Sequence, residues 1–246
     1  MLAADLAYSL DPSLYAREVL RWNPDPHQER VLRWRSPRGL LCCTRQFGKS
    51  TTAAAAAVHE TRYGTAPVVV IAAPAGRQTK ELGLKIESLL DRAKLLIQRR
   101  DDELGLLLRN GARIVMLPGR EASIRGVSGC TLLLVDEAAR VPDPLYKALR
   151  PMLATTGGRT LLMSTPFGKR GFFYDCMGRP GWERLVVRAT ECDRIAPAFL
   201  AMEREELGDV WFRQEYLCEF LDTSTGMFSH QMILDTVDAE LEPYKL

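Results

Sequence analysis

The chain is poor in most residues that build metal or disulfide frameworks. It has three histidines, and none of its six cysteines forms a C-x-x-C pair, which argues against a zinc site or a disulfide scaffold. No apolar run approaches the roughly 20 residues needed to span a bilayer. Met1-Leu2-Ala3-Ala4-Asp5 lacks the basic opening and long apolar core of a secretion signal, so the expected compartment is cytoplasm. A strong charge of one sign is missing too. The net charge of +2 provides no global field drawing the chain onto nucleic acid. Internal repeats and low-complexity tracts are also absent.

What is present reads as a globular protein: 246 residues, 46% hydrophobic and 26% charged. That length holds one large α/β domain, or a core with a small appendage. Cys42, Cys43 and Cys130 sit in or beside apolar runs and read as small core residues. Only seven of the 33 basic residues are lysines. Arginine suits bidentate phosphate contacts, although host codon usage or heat adaptation gives the same skew. Arg30, Arg33, Arg35, Arg38, Arg45 and Lys49 crowd one stretch with Glu29 just before it. This is either a solvated face leading into a loop or a DNA-facing patch.

Apolar, β-rich runs recur at 39–43, 67–73, 113–117, 131–135, 159–164 and 184–189. Several are nearly continuous hydrophobics, as in strands covered on both faces. Helical patterns intervene at 50–63, which is alanine-rich, and at 77–98, where Leu82, Ile86, Leu89, Leu90, Ala93 and Ile97 follow a helical period. The alternation predicts a mostly parallel, doubly wound sheet flanked by helices. The character changes near Ala196-Pro197. Phe199, Met202, Leu207, Trp211, Phe212, Tyr216 and Leu217 are the expected anchors of a helical subdomain. The predicted organisation is a core over 1–195, a helical lid over 196–225 and a linker over 226–246.

Four motifs carry chemistry. The first is the run from Gly39 to Ser50, where an apolar strand breaks into a loop ending Gly48-Lys49-Ser50. Backbone amides at a helix start can wrap a phosphate, Lys49 can reach the β and γ oxygens, and the Ser50 hydroxyl can hold magnesium. Arg45, Gln46, Phe47 and Thr51 complete the candidate binding loop, and Cys43 occupies the position where the common motif has its first glycine. The second is the strand ending in Asp136-Glu137. There Asp136 would hold the hydration shell of Mg²⁺ and Glu137 would polarise the attacking water. The third is Ser164-Thr165-Pro166 at a strand's carboxyl end, where an open α/β sheet binds ligand and Thr165 could sense a γ-phosphate. The fourth is Asn23-Pro24-Asp25-Pro26-His27-Gln28, with Gln28 a candidate reader of adenine's N6/N7 edge; Trp22 and His27 read as packing residues. Taken singly, each has a plain reading: a glycine turn, acids capping a turn, a proline stop, a solvent-facing glutamine.

Together, in this order, they resemble the ATPase domain of viral large terminases, which package double-stranded DNA into capsids. That family carries an arginine before Gly-Lys-Ser, as in Arg45-Gln46-Phe47-Gly48-Lys49-Ser50. Ser164-Thr165-Pro166-Phe167-Gly168 with Phe172-Phe173-Tyr174 resembles its coupling motif and aromatic pair, although asparagine is more usual at Phe167. Arg125-Gly126 matches its arginine–glycine element. The resemblance, over roughly residues 20 to 225, implies an additional-strand P-loop fold with a helical lid, and ATP and Mg²⁺ as cofactors. It implies a pentameric ring on the procapsid in the host cytoplasm, with double-stranded DNA, the portal protein and the small terminase subunit as partners and no membrane. Arg125 becomes the leading candidate for a finger reaching a neighbour's ATP, with Arg45 a rival acting in cis. Nuclease activity is not expected of this chain, because Asp235, Asp238 and Glu240 do not make a nuclease site. The rival readings are a helicase-like or remodelling ATPase, and a non-catalytic module that keeps the sheet.

Overall fold

The computed structural model describes residues 2–101, 105–117 and 127–222. Arg125, Gly126, Asp235, Asp238, Glu240 and the expected linker 226–246 lie outside the described residues.

Eight strands form one sheet: β1 (Arg38–Cys43), β2 (Val68–Ala72), β3 (Ile97–Asp101), β4 (Gly105–Leu108), β5 (Arg113–Leu117), β6 (Leu132–Asp136), β7 (Arg159–Ser164) and β8 (Glu183–Val187). Their order is β3-β4-β5-β2-β6-β7-β1-β8. The pairs from β5 through to β8 are parallel, and β4 joins β5 and β3 antiparallel. β7 therefore lies between β1, which leads into the phosphate loop, and β6, which ends in the acidic pair. This inserted strand identifies the fold as the expected additional-strand P-loop type.

The continuous apolar runs have the predicted cause. Leu41 and Cys43, Leu132 and Leu134, and Leu161 and Met163 face one core. Leu40 and Cys42, Leu133 and Val135, and Leu162 face the other. Strands buried on both faces leave no polar alternation to read. All six cysteines are buried free thiols.

The first core is covered by α4 (Lys49–Tyr63), α5 (Gly76–Arg92) and three short helices, α1 (Leu2–Leu10), α2 (Pro12–Glu18) and α3 (Pro26–Leu32). The second is covered by α6 (Asp143–Leu149) and α7 (Gly171–Gly178). α2 and α3 each open on Asp-Pro, an N-cap aspartate with proline at the first helical position. Phe172 of the expected aromatic pair stacks on Tyr146 at 3.9 Å, and Phe173 and Tyr174 meet Phe220.

Two expectations need correction. The helix predicted over 77–98 ends at Arg92, and Ile97 opens a strand. Lys94 takes a left-handed φ of 55°. Its N–H donates to the Asp91 carbonyl and that of Leu95 to the Leu90 carbonyl, which is a Schellman stop built without glycine. The lid anchors are also mostly outside. α8 (Pro197–Glu215) is two helices merged across Gly208, at φ 75° and ψ 160°. Phe212 and Tyr216 are buried, whereas Phe199, Met202, Leu207 and Trp211 are exposed, because α8 packs chiefly through its ends on the small cluster of Ala189, Leu200, Phe212 and Tyr216.

Candidate active site

β1 ends at Cys43, whose side chain is wholly buried, so the position of the missing glycine belongs to the strand and the core. The loop that follows is shaped by two left-handed residues, Gln46 at φ 61° and Gly48 at φ 90°. The left-handed φ at 48 favours glycine, and a Cβ there would also sit 2.7 Å from Gln28 Nε2. α4 then begins at Lys49; the Thr51 and Thr52 amides donate to the Gly48 carbonyl at 3.0 Å, and those of Lys49 and Ser50 have no intrahelical partner. They and the helix dipole make an anion site. A cavity of about 420 Å³ opens here, lined by Thr44–Ser50 and by Gln78, Lys85, Glu137, Arg140 and Thr165.

Lys49 Nζ lies 3.0 Å from Glu137 Oε1. Two stretches nearly ninety positions apart in sequence thus meet in one pocket. Burial opposes the Lys49 charge, but Cys43, Glu137 and Asp136 outweigh it and the ammonium pKa lies above its usual value. Glu137 sits at φ 50°, a left-handed turn rarely adopted by a non-glycine residue. Asp136 is 6% exposed and its Oδ1 accepts the Glu137 N–H at 3.0 Å. Burial raises its pKa against the opposing pull of Lys49, and the Glu137 charge raises it further. A cation beside Asp136 would relieve both effects. Ser50 and Thr51 are half-buried in the first turn of α4.

Thr165 is 2% exposed, one residue beyond β7, and so stands between the loop and the acids. Its hydroxyl accepts from Arg140 Nη1 at 3.0 Å. The neighbouring Ser164 hydroxyl is buried without a hydrogen-bond partner.

Gln28 is brought to the loop in an unexpected role. It is 1% exposed. Its Oε1 accepts from the Asp25 N–H at 2.9 Å, and its Nε2 donates to the Phe47 carbonyl at 2.7 Å. The adenine reading is corrected for this conformation: the amide closes a capping box and clamps the loop, leaving no exposed edge for a base. Arg194, which the motifs do not reveal, donates to the same carbonyl at 2.5 Å and pairs with Asp25 at 3.0 Å.

Two further residues escaped the motif reading. Arg140, three residues past Glu137, donates to Glu137 Oε2 at 3.2 Å, to Thr165 and to Glu215 Oε1 at 3.2 Å, and its guanidinium lies 4.8 Å from the Phe167 ring. Glu215, at the end of α8, is 3% exposed. It accepts from Arg45 Nε at 2.7 Å, while its backbone carbonyl accepts from Thr44 Oγ1 at 3.2 Å. Burial works against its charge, but Arg45 and then Arg140 hold its pKa below the usual carboxylate value. Arg45 is therefore tied to the end of α8 through Nε, with its side chain 60% exposed. No local sequence signal marks this pair, because Arg45 and Glu215 are 170 residues apart.

The family described as "Terminase large subunit, T4likevirus-type, N-terminal" matches residues 41–235. The terminase large subunit of Thermus phage G20c is 28% identical over 260 residues, covering 89% of this chain and 53% of that protein. The large terminase ATPase domain of Thermus phage P74-26 superposes with a TM-score of 0.77 at 25% identity, covering 86% of this chain and all of that one. The large terminase of another thermophilic bacteriophage, in complex with ADP, shares the fold with a TM-score of 0.67 at 11% identity, covering 80% of this chain and 53% of that one. The chain spans about half the length of the curated relatives it matches. With its phosphate loop, its inserted strand and its matched residues in one frame, the chain belongs to the terminase large-subunit family.

Proposed function

We propose that this chain is an ATP-hydrolysing motor domain that drives double-stranded DNA into a viral procapsid. The observation that carries the reading is the meeting of Lys49 and Glu137 at 3.0 Å above a helix-capped loop. The ADP complex of the thermophilic-phage terminase concerns that protein, and supports a nucleotide as the occupant of the same fold. Family membership favours this reading over a helicase or a non-catalytic module.

In this reading the amides of the loop and Lys49 bind the β and γ phosphates. The donors available to a metal are the Ser50 hydroxyl and the Asp136 carboxylate, both oxygens, as Mg²⁺ prefers. Bound there, Mg²⁺ would neutralise charge on the phosphates. Glu137 exchanges Lys49 for the attacking water and orients it, while Arg140 keeps its second oxygen in place. Thr165 reports the phosphate state through Arg140 to Glu215, and so to the end of α8. Arg45 shares that route. Arg125, carried over from the family resemblance, would act on a neighbour's nucleotide in a pentameric ring. The portal protein and the small terminase subunit are the proposed partners at the procapsid, in the host cytoplasm. No described helix is long and apolar enough to cross a membrane.

Phosphate release measured with Glu137→Gln tests the reading. Turnover should disappear while ATP binding persists, and hydrolysis at the wild-type rate would remove Glu137 from its role.

A further inference from the structure

A larger cavity lies at the other end of the sheet. It encloses about 570 Å³ between the start of β1, the start of β7, α6, α7 and the turn before β8. These strands begin where the cavity is and end where the phosphate loop is, and the two sites share no lining residue.

Arg38, Arg150 and Arg179 stand around it, all exposed, and no carboxylate lines it. Among the described residues the side chains of Arg38 and Arg150 make no hydrogen bond or ion pair. Among the described residues Arg179 pairs only with Asp175, at 3.8 Å, with both side chains more than half exposed. Several other arginines of the chain are matched: Arg33 with Asp11 and Glu29, Arg159 with Glu60, Arg213 with Glu219. Three gathered guanidiniums with so little counter-charge repel one another, and an anion relieves that repulsion. Their fields converge on the walls. Burial raises the pKa of Tyr146 and of Cys176, and at both groups Arg38, Arg150 and Arg179 each oppose the rise. The wall is firm, since Tyr146 is stacked on Phe172 and Trp182 is 9% exposed.

The shape and charge select a ligand class. A guanidinium fork matches phosphate oxygens in pairs. The volume falls in the range of small-molecule sites, roughly 300–1,000 Å³, and exceeds one inorganic anion. Repeated phosphates supply one charge per arginine.

We propose that this cavity is a second phosphate-binding site, holding phosphate groups of a nucleic-acid backbone or of a free nucleotide on Arg38, Arg150 and Arg179. The backbone alternative rests on the DNA-motor reading; the nucleotide alternative does not.

The test uses the full chain with Arg38→Gln/Arg150→Gln, and Arg21→Gln as a control for lost charge outside the cavity. In the first arm, duplex DNA binding is followed by fluorescence anisotropy across salt concentrations. The slope of log K against log salt should be shallower by about 2 in the double variant, with weaker binding at every sequence. In the second arm, ADP is titrated by equilibrium dialysis in a Lys49→Ala background, where residual binding should vanish with the two arginines. A change in the first arm alone assigns the site to nucleic acid, and in the second alone to a nucleotide. ATP turnover without DNA should stay at the wild-type level, so a motor that fails to hydrolyse sinks the functional reading without touching this site. If the double variant melts early, Arg150→Gln alone should give a slope change of about 1. Behaviour matching the Arg21→Gln control in both arms overturns the proposal.

Discussion

Lys49 Nζ and Glu137 Oε1 are 3.0 Å apart, so the candidate phosphate ligand and the candidate base neutralise each other before nucleotide arrives. In the proposed site a bound phosphate would take Lys49 from Glu137 and so free the carboxylate to meet water. Binding and activation would then be one exchange of partners.

That exchange sets opposite expectations for the two residues. Lys49→Ala should lose nucleotide affinity, read by calorimetric titration. Glu137→Gln removes the competitor for Lys49, so ATP should bind at least as tightly as in the wild type. Its phosphate release should fall by about 10²–10⁴-fold, the usual range for a lost general base.

Arg140 joins Glu137, Thr165 and Glu215, and one side chain holding three partners cannot be replaced by a shorter one. Arg140→Ala should lower kcat more than it raises KM, because Glu137 loses its positioning contact. It should also destabilise the fold by about 1–3 kcal/mol, the cost of under-satisfying a buried polar group; Glu215 keeps Arg45. Arg140→Lys offers one ammonium in place of a fork and should restore little. Steady-state kinetics with urea midpoints checks both effects.

Gln28 distinguishes a clamp from a base reader. With its amide spent on Asp25 and Phe47, Gln28→Ala should weaken ATP and GTP alike by loosening the loop. A loss confined to ATP in competition titrations would return Gln28 to adenine recognition.

Asp11 carries an acid-sensitive part of the stability. The Arg33 hydrogen bonds, opposed by burial and helped by the Ser13 N–H, lower its pKa from 3.8 to about 2. A carboxylate with a depressed folded-state pKa stabilises above the unfolded value and loses that stabilisation as pH falls. The window therefore runs downward from 3.8 towards 2. Both side chains are about a third or more exposed, so screening reduces the effect to about 1 kcal/mol. Asp11→Asn should lower the melting temperature at neutral pH and remove this step from the acid-unfolding curve.

The parts legible in the sequence were those written in local pattern. Leu132 to Val135 running into Asp136-Glu137, and Gly48-Lys49-Ser50 before an alanine-rich helix, needed only neighbours within a dozen residues to be read. The end of α5 was not legible, because its stop uses Lys94 in a conformation normally signalled by glycine. α2 and α3 open on local signals that the motif reading did not use, Asp11-Pro12 and Asp25-Pro26, with Gln28 completing the capping box of α3, whereas α1 carries no such mark.

The amino-acid order by itself determined six of the eight strands, all but β3 and β4, together with the phosphate loop and the acidic pair, because hydrophobic period and turn chemistry act over a few residues. Tertiary structure alone decided that β7 lies between loop and acids, that Arg140 and Glu215 close the site, and that Gln28 faces a carbonyl. Those outcomes depend on which strand ends lie side by side, and parallel pairing joins segments whose separation along the chain carries no local mark.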